Sequence, residues 1–245
     1  MRAAGRLVGE VLTALAAAVE PGVSTQDLDA IAERMIVGAG ATPAFKGYHG
    51  YPATICSSIN EEVIHGIPSQ QRALQDGDII SIDVGASLDG YYGDSAITVP
   101  VGRISDEAAT LLRVTEDALY KAIDVVKPGG RVSDIGHAVQ QHVEAHGFSV
   151  VREFVGHGIG QRMHEDPQVP NYGEAGRGPR LAEGMVLAIE PMVNAGKPAV
   201  KVLGDGWTAV TKDRSLSAHF EHTVAVTADG AWILTAREVP VAARR

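Results

Sequence analysis

Asp83 and Asp94 lie in "SIDVGASLDGYYGDSA" (residues 81–96), separated by ten residues around a Leu-Asp-Gly turn in a stretch that otherwise reads as β structure. Two carboxylates on a half-buried sheet repel one another and lose hydration, so one is driven toward protonation unless a cation lies between them. The alternation Ile80, Ile82, Val84 marks one face of the first strand and leaves Asp83 on the other. If Asp89-Gly90 forms a two-residue turn, residue 88 pairs with 91 and Asp83 with Ala96. Asp94 then shares the face of Asp83 as a diagonal neighbour, ~7–8 Å away at the backbone and within reach of a shared ion. One added turn residue would reverse that face.

Two more acids enter through an internal repeat. "AVEPGVSTQDLDAIAERMIVGAGA" (18–41) aligns without a gap on "VVKPGGRVSDIGHAVQQHVEAHGF" (125–148), at an offset of 107 residues. Each copy reads as a helix ending at Pro-Gly and a second helix closed by Gly, with Ser24 to Asp27 offering a start like a capping box. The same offset carries "DGDIISID" onto "AEGMVLAIE", placing Asp83 on Glu190, and "YYGDSAITV" matches "AHFEHTVAV", placing Asp94 on Glu221 after about twenty extra residues in the second half. The fold expected is α+β: two related halves, about 1–100 and 101–245, each with two helices followed by a hairpin, in one domain spanning 1–245. The apolar run near the start, Val11 to Val19, is therefore a helix of the repeat and not a secretion signal.

Four carboxylates from matching places, with no Lys or Arg beside them in sequence, call for metal. "EFVGHGIGQRMHEDP" supplies a nitrogen ligand in His157, whose flanking glycines (Gly156, Gly158, Gly160) let the backbone turn tightly and the imidazole approach a crowded site. One His with four carboxylates suits divalent Mn, Fe or Co, with Zn possible. Five side chains exceed the needs of one catalytic ion with an open position; two ions about 3.5–4 Å apart fit the count. "GHGIG" is not followed by the helix a phosphate loop needs, "HVEAH" (142–146) lacks the acid position of a zinc-protease helix, and Ser57 and Ser58 have no readable His-Asp partners.

The chain is 45% hydrophobic, 21% charged and 5% aromatic, with a net charge of -9. That balance opposes a nucleic-acid surface; the only basic cluster is Arg244-Arg245. A single cysteine, Cys56, permits no internal disulfide and fits a reducing compartment. No apolar run is long enough to span a membrane.

Taken together, "KGYHGYPATICSSINEEVIHGIPS", "DIISIDVGASLDGYYGDSA", "GHGIGQRMHEDPQVPNY", "GMVLAIEPMV" and "DGWTAVTKDRSLSAHFEHTVAVT" resemble the type I methionine aminopeptidases along essentially the whole chain. The resemblance implies a pseudo-twofold pita-bread fold, with two helix pairs on a curved antiparallel sheet. It implies that Asp83 binds one ion, His157 and Glu190 the other, and that Asp94 and Glu221 bridge them. Glu190 is implied as proton acceptor, and His65 and His164 as non-ligand histidines acting on the scissile amide. Tyr48, Tyr51, Cys56, Met163 and Trp207 match the family's methionine pocket. Carbonyls of Asn60, Glu62 and Ser217 match a site for Na or K.

Three residues depart from the family's pattern: Phe45 where a small residue is common, Met163 in place of an aromatic, and His219 in place of a more usual Gln. They bear on tolerance for the second residue of the substrate. The chain also begins at the first helix, without the short leader of relatives or a zinc-finger extension. The activity implied is removal of the initiator methionine from nascent proteins with a small second residue, by a cytoplasmic monomer near the ribosome, without nucleic-acid or membrane partners. An X-Pro aminopeptidase or prolidase of the same fold, and a non-catalytic pita-bread binding protein, are the alternatives.

Overall fold

The structure, a computed structural model, describes residues 1–237, so the Arg244-Arg245 pair lies outside the described residues. The first half holds α1 (Arg2–Ala18), α2 (Thr25–Gly38), β1 (Thr42–Pro43), β2 (Ile55–Ile59), β3 (Glu62–Ile64), β4 (Ile79–Leu88) and β5 (Tyr91–Pro100). The second holds α3 (Asp106–Asp124), α4 (Val132–Ala145), β6 (Ser149–Val150), β7 (Gly156–Gly158), β8 (Glu165–Val169) and β9 (Val186–Ile189). It continues through β10 (Met192–Asn194), β11 (Val200–Val202), β12 (Ala209–Thr211), β13 (Ser217–His219), β14 (His222–Thr227) and β15 (Gly230–Ile233). The strands pair antiparallel throughout, under two helix pairs.

The repeat is visible residue by residue. Helices α2 and α4 start and stop 107 positions apart. Ser24 caps α2, its hydroxyl accepting the Asp27 amide at 3.1 Å while the Asp27 carboxylate accepts the Ser24 amide at 3.1 Å. Both helices end at a glycine in the left-handed region, Gly40 (φ 73°) and Gly147 (φ 79°). The apolar stripe of α1 (Leu7, Val8, Val11, Leu12, Leu15) packs on β4 and β5, where Ile80, Ile82 and Val84 face it in one cluster that continues into α3, α4 and β14.

The first hairpin has the expected register. Asp89 (φ 52°) and Gly90 (φ 78°) are both left-handed, as a two-residue turn that follows strand twist requires. Leu88 pairs with Tyr91, Asp83 with Ala96 and Gly85 with Asp94. The second half departs from expectation. Strands β9 and β14 pair as β4 and β5 do, but residues 190–221 between them carry β10 to β13, which join other sheets, so no short turn links the pair. The register differs too: Ile189 faces His222, and continuing it sets Glu190 across from Glu221 instead of on the diagonal.

The halves meet at β5. The Glu221 amide donates to the Ala96 carbonyl at 2.9 Å. The Thr223 hydroxyl donates to the Asp94 carbonyl (2.7 Å) and accepts the Asp94 amide (3.0 Å). Side-chain hydroxyls here complete a ladder that the backbones do not close alone, satisfying groups that burial would otherwise strand.

Helix α1 crosses β5 so closely that a Cβ on Gly93 would lie 2.9 Å from the Gly5 nitrogen and 3.0 Å from the Ala4 carbonyl carbon. Backbone cannot yield as a side-chain tip can, so Gly93→Ala is expected to cost about 1–3 kcal/mol. Gly38→Ala, at a position with open space around its Cβ, should be neutral or stabilising by up to ~1 kcal/mol. Urea midpoints of the two variants check the contrast, and equal midpoints would refute the crossing.

Candidate metal centre

Residues from both halves converge at the foot of one cleft of about 150 Å³. Asp94, His157 and Glu221 are 4%, 7% and 2% exposed, and one ligand atom from each lies within 4.8 Å of the others. Asp83 and Glu190 line the same cleft. The Nε2 of His157 stands 3.8 Å from Asp94 Oδ2 and 3.8 Å from Glu190 Oε1.

These are not ion pairs. Burial, and then the neighbouring His164, lower the His157 pKa to about 4, leaving the ring neutral. Its Nδ1 lies 2.9 Å from the Gly158 carbonyl; a carbonyl only accepts, so the proton sits on Nδ1 and the Nε2 lone pair faces the acids. The carboxylates show the strain of crowding. Burial raises Asp83 to about 7. Asp94, Glu190 and Glu221 rise as well, through burial first and then one another's charge: Glu221 and Asp83 act on Asp94, Asp94 and Asp83 on Glu190, Glu190 and Asp83 on Glu221. No Lys or Arg lines the cleft among the described residues.

Whether the residues fit a metal is decided by their unpaired atoms. Asp83 Oδ1, Asp94 Oδ1 and Glu221 Oε1 are buried without a hydrogen-bond partner. Orphaned acceptors at that depth are costly, and together with a lone pair on His157 they form an oxygen-rich, one-nitrogen donor set for a divalent ion. The residues fit.

Strand pairing explains why an apolar wall adjoins the acids. Cys56 of β2 faces Asp83 across the sheet, and Gly85, two residues along the same face, admits the Phe45 ring; a Cβ there would sit 2.6 Å from Phe45 Cε1. Phe45, Tyr51, Cys56 and Met163 form a buried cluster with Tyr48 and Trp207 packed against it. The Tyr48 hydroxyl lies 2.8 Å from His164 Nδ1, and His65, with a left-handed backbone (φ 61°), lies 6.2 Å from the Trp207 ring. Asn60 and Ser217 adjoin, the Ser217 amide donating to the Asn60 carbonyl at 2.9 Å, while Glu62 turns its carboxylate to the Ile59 amide and to Arg72.

Three features add to or differ from the sequence reading. His219 does not line the cleft; it sits behind the acids, 2% exposed, with Nε2 3.7 Å from Glu190 Oε2. Gly156, Gly158 and Gly160 are absent from the positive-φ glycines, and only Gly160 lies at a bend, the other two being inside β7. Gly156 and Gly158 are small because β7 is pressed between neighbours: a Cβ on Gly156 would meet the Ala188 carbonyl at 2.3 Å and one on Gly158 the Asp166 carbonyl at 2.2 Å. His49, passed over in the sequence, also lines the cleft, and its only signal there is its place between Gly47 and Gly50, both left-handed.

Acids gathered this tightly below an apolar cleft suit hydrolysis by metal-polarised water, and fold and site together define a metal-dependent hydrolase. The sequence matches the metallopeptidase family M24 over residues 1–228, and the chain belongs to that family. It is 59% identical to methionine aminopeptidase 1 of Bacillus subtilis (strain 168), over 96% of this chain and 94% of that one. A crystal structure of methionine aminopeptidase from Thermotoga maritima superposes with a TM-score of 0.95 at 47% identity, covering 97% of this chain and 95% of that one. The prolidase of Pyrococcus horikoshii OT3 shares the fold at a TM-score of 0.77 and 23% identity, over 98% of this chain and 62% of that one. The architecture is thus the pita-bread fold of these relatives.

The raised carboxyls give the metal-free protein a defined pH response. A carboxyl with a raised folded pKa stabilises the fold below its unfolded value and loses that contribution as pH rises through the folded value. With Asp83 at about 7, chelator-treated protein should lose thermal stability as pH climbs from about 4 through neutrality. Loading a divalent ion should release protons and restore stability. Melting curves with and without Mn(II) across that range test the sign; a metal-free protein that gains stability with pH would contradict it.

Proposed function

We propose that the chain is a dimetal aminopeptidase that removes the initiator methionine from nascent proteins, preferring a small second residue. The observation that carries this reading is an aromatic- and sulfur-lined cleft built on the same strand face as the acids. An unbranched thioether suits such a pocket, since sulfur against aromatic edges is favourable. Asp83 would hold one ion, His157 and Glu190 the other, with Asp94 and Glu221 shared between them. The ions are Co, Mn or Fe(II), with Zn also suited to the donor set. When bound, they supply Lewis-acid polarisation of the scissile carbonyl and lower the pKa of the attacking water.

The chain's own residues supply the rest. Glu190, at the cleft surface, accepts the water's proton. With the Tyr48 hydroxyl, 2.8 Å away, donating to His164 Nδ1, the His164 proton would stand on Nε2, available to the tetrahedral oxyanion or the leaving amine. His65, whose pKa burial and then His164 lower to about 4, is a neutral hydrogen-bonding partner for the substrate amide. Tyr51, Cys56, Met163 and Trp207 receive the methionine side chain, and Phe45 narrows the same wall. The carbonyls of Asn60, Glu62 and Ser217 are assigned to Na or K from the family resemblance, the Asn60 carbonyl also accepting the Ser217 amide.

The chain acts as one catalytic domain, 1–245, as the single main core drawing on both halves supports. It works as a cytoplasmic monomer on emerging N-termini near the ribosome; no helix among the described residues is long and apolar enough to cross a membrane. The prolidase alternative has weaker support, since the chain is 23% identical to the prolidase it superposes on and 59% identical to the Bacillus subtilis methionine aminopeptidase.

Apo protein supplied with Mn(II), Co(II) or Fe(II) is expected to cleave Met-Ala-Ser and to leave an X-Pro peptide intact; turnover of the second and not the first would establish the prolidase reading. Tyr48→Phe should lower kcat about tenfold, and His164→Ala roughly 10²–10³-fold, the range seen when an oxyanion donor is lost. Asp94→Asn should abolish activity and metal binding together while the circular dichroism spectrum stays unchanged; a fully active Asp94→Asn would overturn the site.

A further inference from the structure

His219 is a buried polar side chain with no assigned task. Its backbone is held on both sides by Thr98, whose hydroxyl accepts the His219 amide at 2.8 Å and donates to the His219 carbonyl at 2.9 Å. A hydroxyl has one proton to give, so the Ser81 hydroxyl, 2.8 Å from Thr98, is the donor in that contact. The ring therefore projects from an anchored point. Its Nε2 has no hydrogen-bond partner and stands 3.7 Å from Glu190 Oε2 and 4.0 Å from Glu221 Oε2. Both distances are too long for hydrogen bonds; the nearer closes with a small rotation of the Glu190 side chain.

The chemistry of the two oxygens decides which way the ring is protonated. Carboxylates that hold a metal are deprotonated and only accept. A lone pair on Nε2 would face lone pairs, so Nε2 must carry the proton. We propose that His219 is a positioning residue: its Nε2–H donates to Glu190, and secondarily faces Glu221, fixing the two carboxylates of the second half in the orientation that binds metal. The inference rests on the dimetal reading above. It gives His219 a place behind the ligands, in contact with neither substrate nor the reacting atoms.

The test compares His219→Leu, which removes the donor, with His219→Gln, which keeps an N–H on a side chain of similar reach. Co(II) affinity by calorimetry and the visible absorption of the Co(II) form are the readouts, since a packing defect alone would not separate the two variants. His219→Leu should bind Co(II) roughly 10- to 100-fold more weakly with an altered spectrum, and His219→Gln should stay near wild type. Should the Leu variant fail to fold, His219→Met, which also lacks a donor, replaces it. Unchanged affinity and spectrum in the donorless variant would overturn the proposal, as would Gln and Leu variants equally impaired. Wild-type protein that takes up no Co(II) would instead overturn the dimetal reading, and this inference with it.

Discussion

Four carboxyl groups share a space from which water is largely excluded, and no basic side chain among the described residues neutralises them. The imidazoles around them are neutral through burial, and the cleft lining holds no Lys or Arg among the described residues. Like charges at such spacing in low dielectric force protonation or demand a cation. Much of the remaining architecture can be read as scaffolding that keeps this unfavourable arrangement from relaxing. The Asp94 backbone is held by Thr223, and the Glu221 amide by Ala96. Each half thereby restrains an acid of the other.

The same scaffolding decides where a substrate can lie. Because side chains alternate across a strand, Asp83 and the vacant face of Gly85 point the same way. Phe45 fills the space over Gly85, and Cys56 stands across from Asp83. Recognition surface and acids share one sheet face two residues apart, so a bound side chain lies directly beside the acids. His157 reaches the centre from a strand that tolerates no Cβ at the glycines on either side of it.

How far the sequence speaks depends on whether a feature is local. The Asp83–Asp94 relation was legible because an Asp-Gly turn and an alternating strand fix register without reference to anything distant. The helix pairs were legible because the same caps and glycines recur at a constant offset. The second strand pair was legible only as a match of acids: its long connection and its register, two residues from that of the first pair, are set by β10 to β13, which pair with strands far away in sequence. His219 could not be placed from sequence for the same reason. Its neighbour Thr98 is more than a hundred residues away, so the sequence offers the residue but not the side of the acids on which it stands. The glycines around His157 carry a signal of smallness that serves a turn or a tight sandwich equally well, and only the flanking strands distinguish them.

The register difference between the halves bears on which acid can move a proton. In the first half the acids are Asp residues on the diagonal of a regular hairpin, two torsions from a backbone fixed on both sides. In the second they are Glu residues set opposite one another, with an added torsion each and, at Glu190, a position just beyond the end of β9. Glu221 is enclosed at 2% exposure and its backbone is tied to β5, whereas Glu190 keeps an edge on the cleft. An acid that must take a proton from water and pass it on needs both freedom to rotate and access to the reacting group. Glu190 is the one carboxylate here with both. That is also why a donor behind it matters: an Nε2–H at His219 sets the resting orientation of the acid that has the most freedom to lose it.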